Sequence, residues 1–589
     1  MTLRLPRADV PFVLLDDARV AGAAAARLYV DPVEIVVTRR MTDVPVALEA
    51  LRTATRGGLH AAGYLAYEAG HALEPKLVPL VEATAAAPLL WFGLFRGFTE
   101  IASEDVSALL PDPAGAWVGA PVPAITRAAY DAAMAEVQAL IDAGDIYQAN
   151  LTFGAGVKTA GHPLALYAGL RGRARAGYGG VIHTGNDWIL SLSPELFFAC
   201  DGTKVRTRPM KGTALRCVDP DADRAAADGL QADPKQRAEN LMIVDLLRND
   251  LSRIATPGSV AVPDLFRVET YPTVHQMTST VTGDLTPGLD AIDVMRAIYP
   301  CGSITGAPKI RAMEAIADIE ATPRGVYTGS IGRIDACGVS AAFNVAIRTL
   351  HLGNGVARVG LGSGIVADSS ARDEWIECLA KGAFIASDRR FDLIETMAFD
   401  PNDGIARLER HLTRMGSAAR DLDFAFDRHA ARNELQAATF RLRKACRLRL
   451  LLARSGVMAV ETRPLPEAPG EAVTVGLAAL PVDCDDIRLR YKTTDRRFYD
   501  VARRDVFEIV FMHPDGFLTE GRFTNIFVRD GAMLLTPPLS RGLLGGVLRA
   551  ELIETGAARE ADLRADDLAN GFYIGNALRG LLPARLSGK

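Results

Sequence analysis

Cysteine is scarce: seven in 589 residues, an odd number with no CxxC pair. That excludes a disulfide framework and a zinc cage, and it fits a reducing compartment. Positive charge is not in excess. With 66 Lys and Arg against 71 Asp and Glu the net charge is −5, so neither nucleic acid nor an anionic membrane would be drawn in electrostatically. Long apolar runs are missing as well. Pro and Asp interrupt the N-terminal MTLRLPRADVPFVLL before a secretion core forms, and the most apolar stretch, Ala85–Phe95, is too short to span a bilayer. A cytoplasmic protein with no membrane partner is expected. There is no internal repeat and no low-complexity tract beyond short alanine clusters.

What is present is an ordinary globular composition, 49% hydrophobic and 23% charged, in a chain too long for one core. The charged stretch SDRRFD (Ser387–Asp392) separates the helical EWIECLAKGAFIA from the strand-like FDLIETMAF, which predicts domains 1–386 and 387–589 joined closely. Strands alternate with helices, giving an α/β (α+β) class. Asp233 and Pro234 predict a helix start, with Leu241, Val244, Leu247, Leu251 and Ile254 as one buried stripe. In the second part EAVTVGLAAL, FEIVFMH and FTNIFVRD read as strands, with turns at HPDG and RDG.

Lys211, in RTRPMKGTA, reads as part of a strand-to-loop turn. A loop lysine is usually a solvated charge; it becomes a nucleophile when desolvated or set beside another cation. Its company matters. Glu374 and Glu377 are three apart on a predicted helix and share a face. Glu239 lies on the other strong helix and offers a third carboxylate, a hard-oxygen set that suits Mg2+. GLGSGIVADSS (Gly360–Ser370) reads as a glycine turn, and GSITGAPK (Gly302–Lys309) as a second one opening a helix; their amides and the Ser303 hydroxyl suit an anion. His275, in VHQMTST, could equally be a satisfied core histidine.

SPELFF, RPMKGTA, AENLMIVDLLRNDL, VHQMTST, CGSITGAPKIRAME, AAFNVAIRTL, GLGSGIVADS and EWIECLAK together resemble the chorismate-utilising family, across nearly all of the first 385 residues. GDIYQANLTF resembles a core segment of the same family. The resemblance implies a β-sandwich with surrounding helices. It implies Glu195 as general acid/base, Glu239, Glu374 and Glu377 as holders of Mg2+, and His275, Ser303, Tyr327, Arg348 and the Gly362, Ser363 and Gly364 amides as substrate-positioning groups. Gln236 departs from the family, where many members carry another metal-side Glu. Anthranilate-forming members have Ala where Lys211 stands. The lysine form is similar to the aminodeoxychorismate-forming members, in which the lysine is implied to attack carbon 2 of chorismate before ammonia adds at carbon 4.

In the second part Lys492 sits in LRYKTTDRRFYD, following a strand. DGFLTEGRFTNIFV, GLLGGVLRAEL and YIGNALRGLLPA come after it, and RLERHLTRM precedes it. A Schiff-base lysine, a carboxylate for a pyridinium, an Arg and a glycine-led helix start for a phosphate form one set. These motifs resemble the fold-type IV pyridoxal-phosphate enzymes, built of two small α/β subdomains. That implies Lys492 as the cofactor lysine and acid/base and Glu520 at the pyridine nitrogen. Arg414 with the Gly546, Val547 and Leu548 amides would hold the phosphate, with Asn576 nearby. Gly545 stands where that family has Pro. The region opens at FDLIETM without the family's preceding strand, a gap the first domain could cover.

The fusion implies a bifunctional enzyme that turns chorismate and ammonia into 4-amino-4-deoxychorismate and then into 4-aminobenzoate. No cysteine sits in a G-x-C-x-G turn, so a separate glutamine amidotransferase subunit is the expected ammonia source. A homodimer through the C-terminal domain is conceivable. The rivals are an anthranilate-type synthase fused to a branched-chain or D-amino-acid-type aminotransferase, and a scaffold whose second domain has lost chemistry.

Overall fold

The computed structural model describes residues 5–6, 10–80, 85–271, 274–353, 355–387, 389–502 and 506–587. Most of the N-terminal MTLRLPRADV and Asp388 of the boundary stretch lie outside them. The chain falls into two compact units: Met1–Leu110, Ala120–Val157 and Tyr167–Ala386 form one, and Pro111–Gly119, Lys158–Leu166 and Ser387–Lys589 the other.

The first unit holds two ten-stranded antiparallel sheets. They pack face to face through Val13, Tyr29, Ile182 and Ile189 of one and Tyr64, Trp91, Phe95 and Ile331 of the other, which makes the expected sandwich. Helices Val44–Arg56, Pro234–Ser252, Ala291–Ile298 and Lys309–Ile319 close a larger core over the second sheet's outer face. The Asp233 carboxylate caps Pro234–Ser252 by accepting from the amides of Lys235 and Gln236 at 2.8 and 3.0 Å. Its buried stripe differs from the expected one at one position: Leu241 is 43% exposed, whereas Ile243, Val244, Leu247, Leu251 and Ile254 are buried. At about 100° per residue, those five side chains fall within an arc of roughly 100°, and Leu241 lies about 60° beyond its edge.

The second unit has a four-stranded antiparallel sheet containing Leu393–Asp400, Cys446–Leu452 and Met458–Pro464. It also has an eight-stranded mixed sheet, in which Val473–Ala479 runs parallel to both Glu508–Met512 and Gly580–Leu586. Its first core is completed by two excursions from the first half of the chain. Trp117–Val118 pairs with Thr159–Ala160, and Trp117, 2% exposed, packs with Phe391, Phe424 and Ile487 under the Arg454 guanidinium. Arg389 donates to the carbonyls of Ala114 and Ala116. Trp117→Ala should therefore destabilise this unit by about 3–5 kcal/mol, read as an earlier melting transition of cofactor-loaded protein. An unchanged transition would mean that the ribbon is dispensable.

Among the described residues no helix is long and apolar enough to cross a membrane.

Candidate functional site

Lys211 lies in a strand, Met210–Leu215, at the edge of the second sheet, and not in the expected turn. The register with Val274–Asp284 moves from Met210 opposite Thr278 to Thr213 opposite Gln276, so Lys211 and Gly212 share one partner residue in a bulge. Gly212 has φ +79°, and a Cβ there would meet Gln236 Oε1 at 2.9 Å. The lysine-glycine pair is what allows the bulge, and the bulge re-aims the lysine. Its Nζ reaches the other sheet: a Cβ built on Gly364 would lie 3.3 Å from Lys211 Nζ and 2.8 Å from Gln148 Nε2.

Glu195, 4% exposed, follows the strand Trp188–Ser193. Its Oε1 accepts from Ser303 Oγ at 2.7 Å. Burial pushes its carboxyl up to about 7 against the opposing pull of Ser303 and Lys211. Lys211 moves the other way: burial and then the Lys381 charge lower its pKa, opposed by Glu195, Glu239 and Glu377. The amine is made easier to deprotonate and the carboxyl harder, the directions that a nucleophile and a proton donor need.

The Glu195 shift has a stability consequence. The folded carboxyl binds its proton more tightly than the unfolded one, so the contribution is favourable below the ordinary value of 4.5 and lost as pH rises through about 7. Glu195→Gln should relieve on the order of 3 kcal/mol of this penalty at pH 8. Its stability gain over wild type should be visible in thermal unfolding at pH 8 and much smaller at pH 5. An equal difference at both pH values would refute the shift.

Glu374 and Glu377 lie on Ala371–Gly382, and Glu239 on Pro234–Ser252. Burial raises the Glu239 pKa, Lys211 and Lys235 oppose, and the Glu374 and Glu377 charges add to the rise, so the three carboxylates share one field. Glu374 Oε1 accepts from Ser369 Oγ at 2.7 Å. Glu377 pairs with Lys381 Nζ at 2.7 Å, and that ammonium also reaches the Gly362 carbonyl at 3.1 Å. Among the described residues no three acidic, His or Cys side chains come close enough to hold a metal ion together. The three carboxylates share a field without converging on one point, a hard-oxygen set of the kind that takes Mg2+ only with water completing its shell. Lys381 was missed as a site residue; its place four residues after Glu377 in EWIECLAK was the available signal.

Gly360, Gly362 and Gly364 are not a turn. They belong to the ten-residue strand Val356–Ile365, and they are glycine because neighbours press on them. The Tyr327 ring covers Gly360, Thr152 crowds Gly362, and Gln148 and Lys211 crowd Gly364. Over Gly360–Ile365 the strand pairs with Gln148–Val157 on one side, while Thr349–Gly353 pairs only as far as Val359, so amides facing that side are open to a ligand. Ser363 points to the other face and accepts from Cys378 Sγ at 3.6 Å. Arg348, at φ +51°, is depressed by burial and has no carboxylate partner among the described residues, a guanidinium suited to an incoming anion. His275 is instead fully engaged, with Asp223 at 2.9 Å and Thr270 at 3.1 Å. Its ring nitrogens brace the sheet edge beside Lys211.

In the second unit Lys492 follows a short helix, Ile487–Arg490, and not a strand. It is held extended beside Leu393–Asp400, its carbonyl accepting from the Ile394 amide at 2.9 Å. Burial lowers its amine to about 7, with Arg414, Arg496 and Arg449 adding and Glu395 opposing. Glu520, 4% exposed, is raised by burial to about 8. It accepts from the Tyr499 hydroxyl at 3.0 Å and Asn525 Nδ2 at 3.4 Å, and its raised pKa lets it share a proton with a ring nitrogen. Arg414 is clamped by Glu395 at 2.8 and 2.7 Å and donates to the Gly545 carbonyl at 3.0 Å. Glu395 also meets His411 Nδ1 at 2.6 Å. Burial would raise Glu395, but the Arg414 charge and the His411 bond hold it down at about 2. A cavity of about 420 Å³ opens among Glu395, Arg414, Lys492, Leu543 and Gly545.

Helix Val547–Glu554 starts at Gly546, leaving the Val547 and Leu548 amides without partners within the helix. A Cβ on Gly546 would collide with Asn525 Oδ1. These features fit pyridoxal phosphate: an amine poised for a carbonyl, a protonated carboxyl, and an Arg beside free helix-start amides. Gly546→Ala should weaken binding of the cofactor at least about 10-fold, because the helix start must move. Fluorescence titration with pyridoxal phosphate checks this, and an unchanged Kd would remove the helix start from the site. Asn576 is spent on its own turn, accepting from the amides of Leu578 and Arg579 at 3.0 and 2.9 Å and donating to the Phe523 carbonyl.

Residues 24–387 match the family model described as chorismate binding enzyme, and residues 392–586 the model described as amino-transferase class IV. Aminodeoxychorismate synthase component 1 of Salmonella typhimurium is 44% identical over 257 residues, 44% of this chain and 56% of that protein. Anthranilate synthase component 1 of Streptomyces coelicolor is 41% identical over 270 residues, 45% of this chain and 52% of that protein. The chain thus spans little more than half the length of these relatives. The crystal structure of anthranilate synthase component I from Streptococcus pneumoniae superposes with TM-score 0.53 at 26% identity, covering 62% of this chain and 93% of that one.

Proposed function

We propose, for a chain that belongs to the chorismate-binding enzymes and carries a class IV aminotransferase domain behind them, that it makes 4-aminobenzoate in two steps. The observation that carries this reading is the Lys211–Gly212 bulge, which sets a buried amine across from Glu195 and over Gly364. Synthases of two different products are similar to the chain at nearly equal identity, so residue 211 decides between them.

In the first step Lys211 Nζ bonds to carbon 2 of chorismate, and the carbon-4 hydroxyl leaves as water with the proton of Glu195. Ammonia then bonds to carbon 4, and the lysine departs with its electron pair returned. Ser303 holds the Glu195 carboxyl in place. Arg348 and the open Gly362–Gly364 edge take the substrate's carboxylates. Glu239, Glu374 and Glu377 would hold Mg2+, whose charge would offset that of the ring carboxylate. A separate glutamine amidotransferase is the expected ammonia source.

In the second step the amine of 4-amino-4-deoxychorismate enters the Lys492 pocket and pyruvate is eliminated as the ring becomes aromatic. Pyridoxal phosphate held by Arg414 and the Val547 and Leu548 amides would supply an electron sink. Lys492 takes the proton from the ring carbon that bears the nitrogen. Glu520 keeps the cofactor's ring nitrogen protonated. A lyase is preferred to a transaminase because it consumes what the first domain would release.

The test is to incubate the pure protein with chorismate, ammonium, Mg2+ and pyridoxal phosphate and identify the products by mass spectrometry. 4-Aminobenzoate and pyruvate are expected. Anthranilate or an unaminated aromatic acid would refute the first assignment; accumulation of 4-amino-4-deoxychorismate in wild type would refute the second.

A further inference from the structure

The second unit holds a cluster of guanidiniums that the steps above do not use. Cys446–Leu452 alternates strictly: Cys446, Leu448, Leu450 and Leu452 enter the core, and Arg447, Arg449 and Leu451 stand on the opposite face. The strand pairs with Leu393–Asp400, whose Ile394 amide donates to the Lys492 carbonyl, and the Arg449 charge acts on Lys492, so this arginine face lies near the proposed cofactor lysine. Arg447 lies two residues away, about 7 Å along the strand. Directly opposite it across the ladder is Arg463, a like-charge pairing that is unfavourable by itself.

Arg579 arrives from a different direction. It sits in the turn between Phe572–Asn576 and Gly580–Leu586, which Asn576 shapes by accepting from its amide. Its guanidinium lies over the rings of Phe507 and Phe523, 5.5 and 5.9 Å from their centroids. Burial, and after it the charge of Arg447, depresses its pKa. Neither Arg447 nor Arg579 has a carboxylate partner among the described residues. Glu508, whose charge reaches Arg579, is committed elsewhere. It accepts from Arg522 Nε at 3.2 Å, Thr524 Oγ1 at 2.9 Å and the amides of Ile509 and Phe523. Two like charges that act on each other, one of them lying over two aromatic rings, are a disfavoured arrangement that an anion shared by both would offset. Phe523, 42% exposed, offers a ring face to whatever carries that anion.

We propose that Arg447 and Arg579 form the seat of a ring-borne carboxylate on the amine that reacts at Lys492. They would select an amine whose carboxylate is remote from its nitrogen over an ordinary α-amino acid. This rests on the reading that the Lys492 pocket takes 4-amino-4-deoxychorismate, whose ring carboxylate lies across the ring from the amine.

The test uses the full chain loaded with pyridoxal phosphate and two probes, 4-aminobenzoate and aniline, followed by calorimetry. Wild type should bind 4-aminobenzoate and not aniline. Arg447→Gln/Arg579→Gln should bind 4-aminobenzoate at least about 10-fold more weakly with the cofactor Kd unchanged, and Arg579→Lys should recover part of the loss. The same double variant should raise KM for 4-amino-4-deoxychorismate about 10-fold or more while kcat stays within about threefold. Equal binding of 4-aminobenzoate by wild type and variant overturns the seat, as does a parallel loss of cofactor. If wild type releases no pyruvate from 4-amino-4-deoxychorismate yet binds 4-aminobenzoate through these arginines, the lyase reading falls and the seat stands.

Discussion

Lys211→Ala is expected to lower formation of 4-amino-4-deoxychorismate from chorismate and ammonia by on the order of 10³-fold or more, the scale on which removal of a covalent catalyst acts. The reason is geometric as well as chemical. The bulge places one amine over Gly364, and burial with the nearby Lys381 charge makes that amine easier to deprotonate. The other nitrogen at that position, Gln148 Nε2, belongs to an amide, whose nitrogen lone pair is delocalised and not nucleophilic. Alanine fits the strand, and Gly212 still supplies the positive φ, so the fold should survive. The control is the second reaction: supplied 4-amino-4-deoxychorismate should still yield 4-aminobenzoate at the wild-type rate. Liquid chromatography with mass detection reads both steps. Retained synthase turnover would sink the assignment of Lys211 as nucleophile, and simultaneous loss of both activities would mean that the two steps are coupled.

Lys492→Ala should produce the reciprocal phenotype. Wild-type protein mixed with pyridoxal phosphate should show an absorbance band at roughly 410–420 nm, a property of the cofactor joined to a lysine. In the variant the band should be absent, the cofactor should leave on dialysis, and pyruvate release should fall by on the order of 10³-fold or more. Chorismate and ammonia should then accumulate 4-amino-4-deoxychorismate. The expectation follows from an amine lowered to about 7 by burial and three guanidiniums, which reacts with a carbonyl near neutrality where a solvated lysine does not. A band that persists in the variant would mean that another amine holds the cofactor. Mixing the two variants should restore 4-aminobenzoate if the intermediate diffuses between molecules.

Much of this site was legible from residue order. The motifs that carry Glu195, Lys211, Glu239, Glu374 and Glu377 are local, and the structure brings their charges into one field, as the mutual shifts of Lys211 and Glu239 record. The Asp233-capped helix was expected from local signals of the same kind, and the sandwich from the family resemblance. What residue order misread was conformation that depends on distant neighbours. Gly360–Gly364 looked like a turn because glycine is common in turns. It is a strand whose side chains are excluded by Tyr327, Thr152 and Gln148. Leu241 looked buried because a spacing of three suits a helix, but the core accepts only one arc of it. His275 offered two ring nitrogens on paper, and Asp223 and Thr270 take both.

The sequence by itself determined which chemical groups this protein owns and which of them are neighbours along the chain: a Lys-Gly pair, acidic residues at helical spacing, a second lysine ahead of a Gly-Gly helix start. Those facts are covalent, and local propensity turns them into elements. Only the tertiary structure decided their protonation and reach. Lys211 and Glu195 approach neutrality because two sheets and a helix remove water from both and bring Lys381 into range. Tertiary packing also decided that Trp117, some 270 residues before Phe391 in the chain, belongs to the second unit's core. Burial and long-range charge act through space, and residue order does not contain those distances.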